Sequence, residues 1–192
     1  MFEIVEYNDS IDLTEFYLEA EQRGFHNNAS KKMLIDSISK EREWKVWILY
    51  YNSYYNKQIV GTTAAHSLDI MGDNCYRIAA RSCIFTDKTP RRGHTLRKDI
   101  VRHQNPTSQF LIPACIEWKP DSNLYITSNE HEQGTQKQVH KIFCPALEKS
   151  GCLIREAEKE YRGHKQTFWK LNINAYYKQL VEFGRWPKKE LM

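Results

Sequence analysis

The sequence contains no apolar run approaching the roughly 18 to 20 residues needed to span a bilayer, so no membrane-crossing helix and no membrane partner is expected. It has no His-x-x-x-His or His-Glu-x-x-His motif and no carboxylate cluster, which leaves no metal site to propose. It has no Cys-x-x-Cys pair, and its five cysteines are an odd number. Zinc-ribbon and paired-disulfide frameworks are thereby disfavoured, and free thiols in a reducing cytoplasm are the expectation. There is no internal repeat, low-complexity segment or linker, so the simplest organisation is one domain. The opening Met1-Phe2-Glu3-Ile4-Val5-Glu6 is acidic and strand-like, unlike a signal peptide.

What is present suits a folded protein with a real core: 192 residues, 41% hydrophobic and 12% aromatic. Net charge is only +4, but its distribution is uneven. Lys88, Arg91, Arg92, Arg97, Lys98, Arg102 and His103 crowd together, with Asp99 the one acid among them. Such a cluster is either a solvated helix face or an anion site for phosphates, of a nucleotide cofactor or of a nucleic acid.

Phe2 to Tyr7 alternates as a first strand, and Leu13, Phe16, Tyr17 and Ala20 share one face of a helix that Gly24 closes. A second helix is expected from Ser30 to Ser39. Trp44 to Tyr51 and Gln58 to His66 form a hairpin, with Gly61 read as a packing or bulge glycine. Cys75 to Thr86 is the longest strand candidate, followed by a short basic helix from Thr95 to His103. The run from Ser108 to Trp118 reads as a short helix with a broken start, since Pro113 fits only a first turn. Leu124 to Ser128 is a strand, and Gln136 to Ser150 an amphipathic helix closed by Gly151. Leu153 to Tyr161 and Gln166 to Leu171 are two extended segments around Arg162-Gly163-His164. A terminal helix from Asn174 to Gly184 presents Tyr176, Tyr177, Leu180 and Phe183 for docking. Three antiparallel strands followed by a strand–helix–strand unit predict an α/β (α+β) protein, with a mixed, mostly antiparallel sheet and helices on both faces.

Two groups of polar residues stand out. Arg77 and Arg81 lie four apart on one strand and so share a face, which is unusual for a central strand; either that face is partly solvated or the pair binds an anionic group. His66 ends the preceding strand and faces the same region, and Asp87 closes the arginine strand. Ser128-Asn129-Glu130-His131 follows the fifth strand, at the carboxyl end where open α/β sheets hold ligands. Cys83 and Cys144 carry no nucleophile motif and read as buried thiols.

The element order and several segments resemble the GNAT superfamily of N-acetyltransferases. Ile59-Val60-Gly61-Thr62 is similar to the family's "ivGf" strand, and Ala146-Leu147-Glu148-Lys149-Ser150-Gly151-Cys152 to its "lyeklGF" helix close. The resemblance implies a GNAT-like domain over residues 1–173, with the helix and tail of 174–192 packed on it. It implies an acyl-CoA, such as acetyl-CoA, as co-substrate and an amine as acceptor. It also implies that the loop after the fourth strand binds the cofactor phosphates through backbone amides and a helix N-terminus. That loop corresponds to Thr86, Arg91, Arg92, Gly93, His94, Thr95 and Arg97. Its two later glycine positions fall on Thr95 and Arg97, so the arginine side chains are expected to bind phosphate instead. The family's tyrosine acid falls on Leu147; Tyr161 and Tyr125 are the candidate substitutes. Glu117, Glu130, His131 and His140 are the titratable groups near the cleft where a base is needed. Glu130 is the candidate for contact with substrate, or else a helix-entry acid. His66, Arg77, Arg81, Ser128 and Asn129 are expected to line the acceptor side. An alternative within the same fold resembles the phage Mom enzymes, which modify adenines in DNA; it would make DNA or RNA the partner. A non-catalytic binding protein on this fold is the third possibility.

Overall fold

The computed structural model describes residues 2–22, 43–52, 56–78, 112–131 and 139–182. Among the described residues seven strands form one sheet: β1 (Phe2–Glu6), β2 (Trp44–Asn52), β3 (Lys57–Ser67), β4 (Cys75–Ile78), β5 (Asn123–Ser128), β6 (Leu153–Tyr161) and β7 (His164–Leu171). Their spatial order is β1-β2-β3-β4-β5-β7-β6. Every neighbouring pair is antiparallel except β4 and β5, which run parallel. This is the anticipated mixed, mostly antiparallel sheet. The parallel pair follows from connectivity: returning from β4 to a parallel neighbour needs a crossover, and the helix α2 (Ile112–Trp118) lies on that connection. Pro113 sits in its first turn, where no intrahelical N–H is required.

Alternation of side chains along the strands divides the core in two. One face carries Trp47, Leu49, Ala65, Tyr76, Ile78, Leu124, Ile126, Trp169 and Leu171. It is covered by Ile112, Cys115 and Ile116 of α2, by Cys144 and Leu147 of α3 (Cys144–Lys149), and by Tyr176 of α4 (Ile173–Glu182). On the opposite face, Leu13, which precedes α1 (Thr14–Gln22), packs with Val46, Ile48 and Ala64, and Phe16 and Ala20 of α1 form an adjoining cluster. Further along that face, Leu68, Cys75, Tyr125 and Phe168 make a smaller cluster with Met71, Ala157 and Tyr161. Helices therefore lie on both faces, as expected. Each fully buried aliphatic or aromatic side chain in these layers contributes about 1.5–3 kcal/mol relative to exposure.

Several local expectations meet their physical reason here. Leu49 pairs with Gly61 and Tyr50 with Ile59, so the extra residue of the bulge is Val60, next to the glycine. The helix expected over Gln136 to Ser150 is not uniform. Among its described residues, Val139–Phe143 is a turn of π-helix and Cys144–Lys149 is α-helical. Pro145 supplies a cause: it has no N–H for the carbonyl four residues back, and its ring crowds that carbonyl, which widens the turn before it. Gly151 at φ 74° ends α3. The turn between β6 and β7 is two residues long, Arg162 (φ 56°) and Gly163 (φ 77°), so β7 begins at His164 rather than Gln166. The helix at 30–39, the far end of the fourth strand beyond Ile78 and the basic helix at 95–103 lie outside the described residues.

Candidate functional site

The pairing of β4 with β5 runs from Cys75↔Asn123 to Ile78↔Ile126. Thr127 and Ser128, the last two residues of β5, pair with Phe168 and Thr167 of β7. Polar groups gather at this carboxyl end of β5, and two sets stand there on opposite faces of the sheet.

On the face of α2 and α3, Ser128 is buried, at 1% exposure. Its Oγ accepts a hydrogen bond from Trp169 Nε1 at 2.8 Å and lies 2.8 Å from Nδ1 of His140. Trp169 reaches Ser128 because it stands on the antiparallel neighbour β7, opposite Ile126. His140 reaches it from the π-turn, with its ring edge-on to Trp169 at 6.5 Å between centroids. Cys144 lies below: burial pushes its thiol well above the usual range, and a hydrogen bond from Ser128 partly opposes that shift. The imidazole of His140 is only half-buried.

The strand ends in an Asx turn. Asn129, 4% exposed, accepts the backbone N–H of His131 on its Oδ1 at 2.8 Å. Glu130 and His131 project outward from this turn, 3.5 Å apart and largely exposed.

On the opposite face, Arg77 is buried and donates from Nε to Thr127 Oγ1 at 2.7 Å. Its guanidinium carbon stands 5.6 Å from the centre of the Tyr161 ring, a cation–π arrangement. His66 pairs across the strands with Arg77. Its Nδ1 lies 2.8 Å from the Ser67 carbonyl; a carbonyl only accepts, so that nitrogen carries the proton. Tyr125 pairs with Arg77 on β5 and is 3% exposed. Burial first, and the neighbouring Glu156 second, push its hydroxyl far above the ordinary phenol range.

The candidate residues therefore separate. His66, Arg77, Tyr125 and Tyr161 share one face, while Ser128 stands on the other with His140, and Asn129 and Glu130 lie on the turn between strand and helix. Tyr125 is buried away from Ser128 and holds its proton tightly. Leu147, where the resemblance put the family's tyrosine, is 1% exposed within the core. Thr86, Arg91, Arg92, Gly93, His94, Thr95, Arg97 and Arg81 lie outside the described residues. His140 was legible only as one titratable group among four, because its partner is twelve residues away and the wide turn that aims it has no hydrophobic period. Among the described residues no group of three His, Cys, Asp or Glu side chains is arranged to hold a metal ion, and no helix is long and apolar enough to cross a membrane.

No family model matches the sequence, and no curated protein matches it significantly. Two solved structures are similar to it. One is an acyl-CoA N-acyltransferase from Pseudomonas aeruginosa, 10% identical, with 89% of this chain and 98% of that one covered at a TM-score of 0.45. The other is Escherichia coli ElaA, 14% identical, with 90% and 100% covered at a TM-score of 0.45.

Proposed function

We propose that this protein transfers an acyl group from an acyl-CoA thioester to the nitrogen of an amine. The observation that carries the reading is the carboxyl end of β5, where a buried serine holds a half-exposed histidine. A pantetheine arm is an extended chain of amides and would lie at the carboxyl end of β5. A thioester at that position would lie beside an imidazole, the side chain best suited to moving a proton near neutral pH.

In this reading Arg91, Arg92, Gly93, His94, Thr95 and Arg97 bind the phosphates by charge-assisted hydrogen bonds. Asn129 and Glu130, on the turn that closes β5, are nearest to the acceptor amine. Ser128 is too buried to attack a substrate, and Cys144 is buried with a thiol that resists ionisation, so direct attack by the amine fits better than an acyl-enzyme intermediate.

Thermal melting with acetyl-CoA tests the proposal. At about 100 times its dissociation constant the ligand should add about 2.7 kcal/mol of stability, and Arg92→Ala should abolish the shift. An unchanged melting temperature, together with salt-sensitive binding of DNA, would replace acyl transfer with a nucleic-acid function.

A further inference from the structure

We infer that His140 carries the proton of the acyl transfer, taking it from the amine and giving it to the departing sulfur, with Ser128 and Trp169 as the residues that position it. The inference rests on the acyl-transfer reading above and adds the route of the proton.

The indole N–H of Trp169 can only donate. Its 2.8 Å contact therefore occupies one lone pair of the Ser128 hydroxyl oxygen. A serine hydroxyl has two lone pairs and one hydrogen. The other lone pair faces His140 Nδ1 at 2.8 Å. In the inferred tautomer Ser128 receives the proton of Nδ1 there, and Nε2 is the bare nitrogen of a half-buried ring.

This network is the same whether His140 is neutral or charged. Adding a proton at Nε2 alters none of the bonds to Ser128, so no buried polar atom loses its partner during the cycle. The ring position is also determined. The π-turn ahead of Pro145 sets the backbone, and Trp169 packs edge-on against the imidazole.

The step balances without any further reagent. The nitrogen of a neutral amine bonds to the thioester carbonyl carbon, and its proton passes to Nε2. As the carbon–sulfur bond breaks, the electron pair leaves with sulfur, which takes the proton from Nε2. An amide and a free thiol result, and His140 returns to its starting state. The histidine thereby stands in for the tyrosine acid whose position Leu147 fills, two turns further along the same segment.

The test combines one spectroscopic and one kinetic reading on the full chain. In 15N-histidine NMR under alkaline conditions, His140, assigned sequentially, should be protonated at Nδ1, and Ser128→Ala should mix the tautomers. With acetyl-CoA and a panel of primary amines including spermidine and a lysyl peptide, His140→Gln should lower kcat by about 10²- to 10⁴-fold while acetyl-CoA still raises its melting temperature. Ser128→Ala should lower kcat with KM little changed. A His140 protonated at Nε2 overturns the inference even if His140→Gln does not fold, and so does a His140→Gln variant that turns over like the wild type. A wild-type protein that neither binds acetyl-CoA nor releases thiol ends the acyl-transfer reading and the proton route with it, an outcome distinct from failure of the variants alone.

Discussion

Arg77 Nε donates to Thr127 Oγ1 at 2.7 Å, from a residue that is only 5% exposed. Arg77 pairs with Tyr125 across the parallel strands, so its side chain leans two residues along β5 to reach Thr127. A buried cation is thereby held to β5 one residue before Ser128. Thr127→Val keeps the shape and removes the acceptor. The variant should lose about 1–3 kcal/mol, since a hydrogen bond to a charged group is removed inside the protein. Chemical denaturation measures this, and an unchanged midpoint would mean that the contact carries no net stability.

A second ionic cluster ties the start of β2 to the end of α2. Glu43 accepts from Tyr76 Oη at 2.6 Å and from the Lys119 ammonium, which also lies over the rings of Tyr76 and Trp118 at 4.8 and 5.1 Å. The hydrogen bond from Lys119 first, and that from Tyr76 second, hold the Glu43 carboxyl below its usual range. A carboxyl whose folded-state pKa is lowered adds stability above its unfolded value, about 4.3, and loses it as pH falls through the lower folded-state value. The stability gap between wild type and Glu43→Gln should therefore be present at neutral pH and close on acidification below about pH 4. Its size should be at most about 1 kcal/mol, because the Glu43 side chain is 51% exposed. A gap that is constant across the acid range would contradict the pairing.

The β6–β7 turn offers a purely conformational test. Arg162 and Gly163 both have positive φ, and a Cβ on Gly163 would touch nothing within 4 Å. Gly163→Ala should thus cost about 1 kcal/mol from backbone strain alone, and Arg162→Asn should stabilise the hairpin, since asparagine tolerates this region better. Thermal denaturation of the two variants should move in opposite directions.

Thiol chemistry gives an independent view of packing. Cys115, Cys144 and Cys152 are all buried, and burial pushes their thiols upward. Iodoacetamide should label Cys115 and Cys144 only after unfolding, as read by mass spectrometry of peptides. Rapid labelling of Cys144 in the native protein would contradict its burial.

Much of the architecture was readable from the chain, because alternation and capping are local. The Trp44 to His66 hairpin and the Gly151 stop each follow from residues close together in sequence. The site was less readable. Trp169, Ser128 and His140 meet only when the register of β5 against β7 is fixed, and a one-residue slip would turn Ser128 or Trp169 to the other face. Alternation along β5 puts Tyr125 and Ser128, three residues apart, on opposite faces. The π-turn arises from one proline acting on the carbonyl four residues before it, a steric effect that hydrophobic period does not report.

The most direct measurement of the central claim is release of free thiol from acetyl-CoA by the purified protein, followed as primary amine is added. The account predicts thiol release that rises with amine concentration and saturates, with an equal amount of acetylated amine formed. Thiol release that ignores the amine, or none at all across the panel, would contradict it.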